Sequence, residues 1–395
     1  MHDALEDALK LYPEFKIKVL YENNKIVSVT NDEPVPLFKG MAAERVLGSD
    51  NTNGYLFYVD YEDKRMRFSY YHALSDAHGV EFFLNTVFIN YAKRLGLELN
   101  SDDAKLLSGK ARLSIDGQSD KIINLDPYGM SADEKVLPSF KYNNPGAAAF
   151  KNTNSGRELN VFEIECSVKQ ILSKAKELKA KVSTMLISMI ATAAYNTGTI
   201  DQSKPVITML PVDLRKHLGI STMVNFSDGI TMPLMPEDMS LSLSGKAAKL
   251  KEFMDKQITR ENFIKTITDK VNMVKNFEAD SENIIEIRKK REAAADAPGA
   301  FRPFTCAFTY PGIMNSVKYI DQLFSDFHTF IYTRANYVRA YSYNDKFRLV
   351  VDRLSDDASW AENILDILKS NGLDAVMRNL GKRHGDLYSL KNLVK

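Results

Sequence analysis

Tyr70-Tyr71-His72-Ala73-Leu74-Ser75-Asp76-Ala77-His78-Gly79 is the one stretch of this sequence whose residue types and spacing suggest chemistry. A histidine stands at the end of an alternating hydrophobic segment, an aspartate follows four positions later, and a glycine lies three beyond that. A neutral imidazole accepts a proton from a hydroxyl or amine as that group attacks a carbonyl. Its ordinary pKa of about 6.5 suits that work near neutrality. Such a ring must be held in one orientation and one tautomer. An acid at i+4 on a tight strand-to-helix loop can touch the ring, or can lock the loop by pairing with a basic residue. Gly79 lets the chain turn closely into a helix. The bland alternative is chance: six histidines in 395 residues give room for an accidental H-x-x-x-D, with Tyr70 and Tyr71 as half-buried strand residues. Among the other histidines, His78 reads as a loop or helix-cap residue and His217 as solvated, while His384 belongs to a basic tail and His328 to an aromatic loop.

The elements that must position this stretch are legible around it. Met66, Phe68 and Tyr70 alternate with Arg67, Ser69 and Tyr71, so 64–71 is a strand, hairpin-paired with 53–61. Val80, Phe83, Leu84, Val87, Phe88 and Tyr91 recur at helical spacing and predict an amphipathic helix over 79–95. Upstream, 3–12 is a helix stopped by Pro13, and 15–20 with 25–30 is a hairpin. From about 100 to 155 Asp, Ser, Gly, Pro and Asn dominate, which marks a crossover between lobes. Beyond it, 161–166 is a strand, Ser167 caps a helix through Leu178, and Ser183 opens an apolar helix that must be buried. A short buried strand follows at 205–211, then a charged helical stretch over 240–297. Strands at 302–309, 329–338 and 347–351, a turn at 341–346 and a helix at 360–371 complete the chain. Both halves place covering helices on sheet strands. The expected fold is α/β, with two lobes, 1–140 carrying the His72 motif and 141–395.

Composition excludes several classes. Lys and Arg number 52 against 51 Asp and Glu, a formal charge of +1, so no global field favours nucleic acid or an anionic membrane. The first twenty residues carry charges throughout and lack the apolar core of a signal peptide. No run approaches the roughly 20 apolar residues of a membrane helix. Cys166 and Cys306 lack CxxC spacing, so no metal site or disulfide framework is expected; both read as core residues in a reducing, cytoplasmic setting.

His72-Ala73-Leu74-Ser75-Asp76, with Gly79 and the helix bearing Phe82-Phe83-Leu84, resembles the HxxxDG segment of the CoA-dependent acyltransferase superfamily. That superfamily includes chloramphenicol acetyltransferase, alcohol acetyltransferases and nonribosomal peptide condensation domains. The likeness is greatest to bacterial alcohol-acetyltransferase-like proteins, whose motif often reads HALSDGxG. Other pieces agree in order. Leu5 to Leu9 with Tyr12-Pro13-Glu14-Phe15 resembles the family's early helix and "YP-F" entry, and Ala175-Lys176-Glu177-Leu178 with Ser183-Thr184 resembles its "AKE…T" helix pair. Leu210-Pro211-Val212-Asp213-Leu214-Arg215 with Asn225-Phe226 resembles "PVNLR…NF", and Thr309-Tyr310-Pro311-Gly312 resembles "SYPG".

The resemblance implies a bilobal fold like two fused chloramphenicol acetyltransferase subunits, with a channel between the lobes. His72 is then the general base, and acyl-CoA is a substrate, so no bound cofactor or metal is expected. The other substrate is a small alcohol or amine, and a single chain suffices as a monomer. Asp76 is mainly structural, with Arg215 as its candidate partner. Asn225 and Ser227 are placed where either can donate a hydrogen bond to substrate or oxyanion, or can simply build an Asn-Phe-Ser-Asp-Gly turn. Tyr71 is a further candidate substrate contact, and Tyr310 and Gly312 border the channel structurally.

The sequence departs from the family at three points. Ala77 replaces the glycine after the aspartate, which strains the loop if that position needs positive φ. Tyr71 replaces the first of the family's paired histidines. The chain begins near the family's first helix, without the strand that usually precedes it. These departures keep open a second reading, a non-catalytic member that binds a small molecule, carrier or partner. A third is a condensation domain acting between carrier proteins.

Overall fold

The computed structural model describes residues 1–22, 25–41, 45–98, 140, 142–151, 158–220, 222–280, 286, 303–311, 323–331, 333 and 335–384. Most of the expected crossover, the end of the 240–297 stretch and Gly312 lie outside these residues.

The N-terminal part packs two helices over two small sheets. Helix α1 (His2–Leu11) buries Ala4, Leu5, Ala8 and Leu9 on one face, and a 3-10 turn at Pro13–Phe15 redirects the chain into the hairpin β1 (Ile17–Glu22) and β2 (Lys25–Thr30). Strand β3 (Leu37–Lys39) runs parallel to β4 (Phe57–Glu62), which pairs antiparallel with β5 (Arg65–Tyr70). Helix α2 (Ala77–Arg94) follows β5 and buries Val80, Phe83 and Val87 against them. Phe83 is the hub: Phe15 stacks on it at 4.2 Å, and Tyr12 and Phe57 meet it edge-on. Aromatic clustering of this kind fixes where α2 begins, and therefore where the β5–α2 loop sits.

The C-terminal part is a seven-stranded mixed sheet in the order β12-β6-β11-β10-β9-β7-β8. Its strands are β6 (Glu158–Ser167), β7 (Val206–Asp213), β8 (Ser227–Leu234), β9 (Cys306–Thr309), β10 (Tyr337–Tyr343), β11 (Lys346–Arg353) and β12 (Val376–His384). Helices α3 (Val168–Glu177), α4 (Val182–Asn196), α6 (Leu243–Gln257), α7 (Arg260–Asp280) and α8 (Ser359–Ser370) accompany it, and α5 (Arg215–Leu218) is a single turn after β7. Ser167 caps α3 by accepting from the Lys169 amide at 3.1 Å. The apolar α4 is buried nearly all round, and Trp360 of α8 donates its indole N–H to the Ile190 carbonyl at 3.1 Å. Cys166 and Cys306 are free and buried in this core, and burial pushes both thiols up to about 12. Among the described residues no helix is long and apolar enough to cross a membrane.

The face of the sheet opposite these helices carries polar residues. Arg348 there bridges Glu165 (2.8 Å) and Asp326 (2.7 Å), and Arg339 pairs with Asp352 (3.0 Å). The segment 323–331 is strapped across this face and reaches α2, where Phe324 packs on Phe88 at 4.8 Å.

Several elements differ from the sequence expectation. Strands β3 and β8 were not expected, and residues 323–331 are irregular where a strand over 329–338 was expected. Their polar groups bond to side chains: Arg348 donates to the Phe327 carbonyl and His328 Nδ1 lies 3.0 Å from Glu163. Strand β10 runs through Tyr343, so the turn shrinks to Asn344-Asp345, with Asn344 at φ +53°. Strand β12, of which only the end at His384 was read, as a basic tail, is an edge strand paired to β6 by its backbone, with an irregularity between Asn379 and Gly381.

Candidate active site

Strand β5 ends at Tyr70, and the Tyr71 amide still bonds the Leu56 carbonyl (2.8 Å), which carries the chain straight to His72. A turn closed by Leu74 N–H to Tyr71 C=O (2.8 Å) then exposes His72 while burying Leu74, Ser75 and Asp76. Asp76 is the N-cap of α2: its Oδ1 accepts from the Gly79 amide at 3.0 Å. Ala77 is therefore the first helical residue. It is absent from the residues with positive φ, so alanine sits there without strain.

A second loop, 219–226 between α5 and β8, meets this one from the C-terminal part. Ser75 Oγ donates to the Met223 carbonyl at 2.6 Å. Asp76 Oδ2 accepts from the Phe226 amide (2.8 Å) and from Arg215 Nη1 (2.7 Å). Arg215 spends its other donors on the same loop, with Nε to the Thr222 carbonyl and Nη2 to the Val224 carbonyl, each at 2.7 Å. Asp213 holds Arg215 from the far side, at 2.9 Å to Nη1 and 3.0 Å to the backbone amide. Arg215 is 2% exposed, and although burial opposes its charge, Asp76 and Asp213 outweigh that and raise its pKa. A buried pair this heavily hydrogen-bonded is a structural tie, since four of the five guanidinium N–H groups are spent on Asp76, Asp213 and the second loop.

Gly79 serves a different purpose from the one its sequence position suggests. It lies inside α2, and a Cβ there would collide with Ser75 Oγ and the Met223 carbonyl oxygen. The requirement is close approach between the two loops, not a turn.

His72 is reached by the second loop through Asn225. Asn225 Nδ2 lies 3.1 Å from His72 Nδ1 and 3.1 Å from the His72 carbonyl oxygen, and Ser227 Oγ donates to Asn225 Oδ1 at 3.0 Å. Both amide hydrogens of Asn225 are thus directed at His72. Nε2 of His72 has no partner among the described residues. Tyr70 flanks the ring with centroids 6.3 Å apart, and burial raises its pKa. Tyr71 packs its side chain against the N-terminal core. His78, in the first turn of α2, keeps solvent access, yet surrounding protein desolvates its charged form and lowers its pKa against the pull of Asp213. His217 lies against Phe263 at 5.1 Å, partly buried where solvation was expected.

Of the residues singled out from sequence, the fold brings His72, Asp76, Gly79, Arg215, Asn225 and Ser227 into one place. Tyr71 is adjacent but turned into the core, and Gly312 lies outside the described residues. Ser75 and Asp213 were not singled out. The signal for Asp213 was its place two residues before Arg215; nothing local marks Ser75 as a donor to a carbonyl 148 residues away.

No protein-family profile and no curated protein matches the sequence. Solved structures do match in shape. One is TRI3, the trichothecene 15-O-acetyltransferase from Fusarium sporotrichioides, with a TM-score of 0.60 at 13% identity over 94% of this chain and 86% of that one. TRI101 from F. sporotrichioides, complexed with coenzyme A and T-2, gives 0.56 at 10% identity over 95% and 90%. The epimerization domain from the third module of tyrocidine synthetase B gives 0.54 at 12% identity over 94% and 90%. At such identities the likeness speaks for architecture. The chain shares the two-lobed mixed α/β fold of these acetyltransferases and of the epimerization domain.

Proposed function

We propose that the protein transfers an acyl group from acyl-CoA to the hydroxyl or amine of a small acceptor, with His72 as general base. The observation that carries this reading is an exposed His72 with an unengaged Nε2, fixed where the two loops meet. The shared fold supports it, since TRI3 is a 15-O-acetyltransferase and TRI101 was solved with coenzyme A.

In this reaction the acceptor O–H or N–H gives its proton to His72 as the oxygen or nitrogen attacks the thioester carbonyl. The tetrahedral intermediate collapses by breaking the carbon–sulfur bond, and the imidazolium returns its proton to the departing thiolate. Nothing in the sequence requires a covalent acyl-enzyme: both cysteines are buried with raised pKa values. Asp76 and Arg215 hold the loop and take no part in proton transfer. The reading includes lobes at 1–140 and 141–395, a monomer, and a cytoplasmic setting for the two free thiols.

Thiol release from acetyl-CoA and longer acyl-CoAs, measured across a panel of alcohols and amines, tests the proposal. Native protein should show acceptor-dependent release, and His72→Ala should lose about 10²–10⁴-fold. Acceptor-dependent release that survives in His72→Ala would refute the assigned base. Silence from native protein over the whole panel would favour a non-catalytic binder.

A further inference from the structure

We propose that Asn225 is a positioning residue that sets the tautomer of His72, and that it holds the resting ring with its proton on Nε2. The assignment comes from three contacts read together. The His72 carbonyl, which can only accept, lies 3.1 Å from one end of the Asn225 amide and so makes that end the NH2 group. The other end is Oδ1, and Ser227 Oγ, able to donate to it, lies 3.0 Å away. The remaining amide hydrogen faces Nδ1 at 3.1 Å, so Nδ1 must present its lone pair. A neutral imidazole has one protonated nitrogen, which leaves the proton on Nε2. Reversing the amide would set Oδ1 against the His72 carbonyl, oxygen to oxygen, and that is why the observed orientation is preferred.

This deepens the acyl-transfer reading and has a consequence for it. A ring protonated at Nε2 cannot take a proton there. The base becomes competent when the Asn225 amide makes a half turn, so that Oδ1 accepts from an Nδ1–H and Ser227 Oγ accepts from Nδ2. No atom changes place except amide N and O, and the proton moves from Nε2 to Nδ1 through solvent. Asn225 and Ser227 thus form a two-position device: in one position Nε2 is a donor, in the other a base. An unpaired His72 carbonyl opposes the second position, so the resting ring keeps the first.

The tautomer assignment needs no substrate to test, so its failure is distinct from failure of the acyl-transfer reading. Histidine-selective 15N labelling of the full chain, with long-range proton–nitrogen correlation at a pH where the rings are neutral, reports each ring nitrogen separately. His72 is identified by the signal lost in His72→Gln. Native protein should show an unprotonated Nδ1 and a protonated Nε2. Asn225→Asp presents an acceptor to Nδ1 and should invert the pattern. A native spectrum with Nδ1 protonated overturns the proposal. So does a folded Asn225→Asp protein with the native pattern. Should Asn225→Asp fail to fold, Asn225→Ala decides: loss of the bias is expected, and an unchanged tautomer overturns the role of Asn225.

Discussion

Gly79→Ala is the sharpest test of how the His72 loop is held. In isolation the change should help, because glycine inside a helix costs about 0.5–1 kcal/mol relative to alanine. The structure predicts the opposite sign. A Cβ at position 79 would fall within hard contact of Ser75 Oγ and the Met223 carbonyl oxygen, and 3.2 Å from the Met223 carbonyl carbon. Ser75 cannot simply rotate away without giving up its 2.6 Å bond to that carbonyl, worth about 1 kcal/mol. The carbonyl cannot retreat alone either, since neighbouring backbone groups of its loop are tied to Arg215 and Asp76. Forcing extra volume into such a contact costs about 1–3 kcal/mol. With the lost hydrogen bond roughly offsetting the gain in helix propensity, a net loss of about 1–3 kcal/mol is expected. Urea unfolding read by the fluorescence of Trp360, the one tryptophan, gives the midpoint, with circular dichroism as a second probe. Acyl transfer should fall further than stability does, by up to about 10²-fold, because a shift approaching 1 Å at His72 spoils the geometry of attack. A variant as stable as native protein, or more so, would refute the close-approach argument.

Three further outcomes follow from the same structure. Arg215→Met should cost about 3–5 kcal/mol, because it leaves the buried Asp76 carboxylate without its cation; a loss under about 1 kcal/mol in the urea midpoint would show that the pair is not the tie. Ala77→Gly should leave thiol release no higher than native and stability unchanged or slightly lower, since position 77 is an ordinary helical residue; a gain in rate would restore the strained-loop expectation. Asp326 is held at about 2, well below its ordinary 3.8, because Arg348 and the Phe327 amide outweigh its partial burial. A depressed folded-state pKa adds stability that is complete above about 3.8 and lost as the pH falls toward about 2. The urea midpoint of Asp326→Asn should therefore fall less steeply than that of native protein across that window, and identical slopes would contradict the assignment.

The local elements of the site were legible because each is written in a short window. Alternation marks β5 and helical spacing marks α2, whereas the capping role of Asp76 emerged only in the structure. Pairing Asp76 with Arg215 came from resemblance, and the 139-residue separation is bridged only once β7 and α2 are packed together. The missed strand β12 lacks an apolar rhythm, since an edge strand is recruited by backbone pairing with β6. The segment 323–331 carries strand-like residues, but Arg348 and Glu163 claim its polar groups.

By itself the sequence determined the chemistry on offer and the order of elements that delivers it: an imidazole at a strand end, a carboxylate four residues on, a helix, and two layered α/β halves. Those follow from periodicity and spacing, which act over a few residues. Tertiary structure decided what each residue is for. Gly79 is required by a carbonyl from a distant loop, Ala77 is unstrained because Asp76 caps the helix, and Asn225 faces the His72 ring. Those roles depend on contacts between groups about 140–150 residues apart in the chain, which no local pattern of residue types encodes.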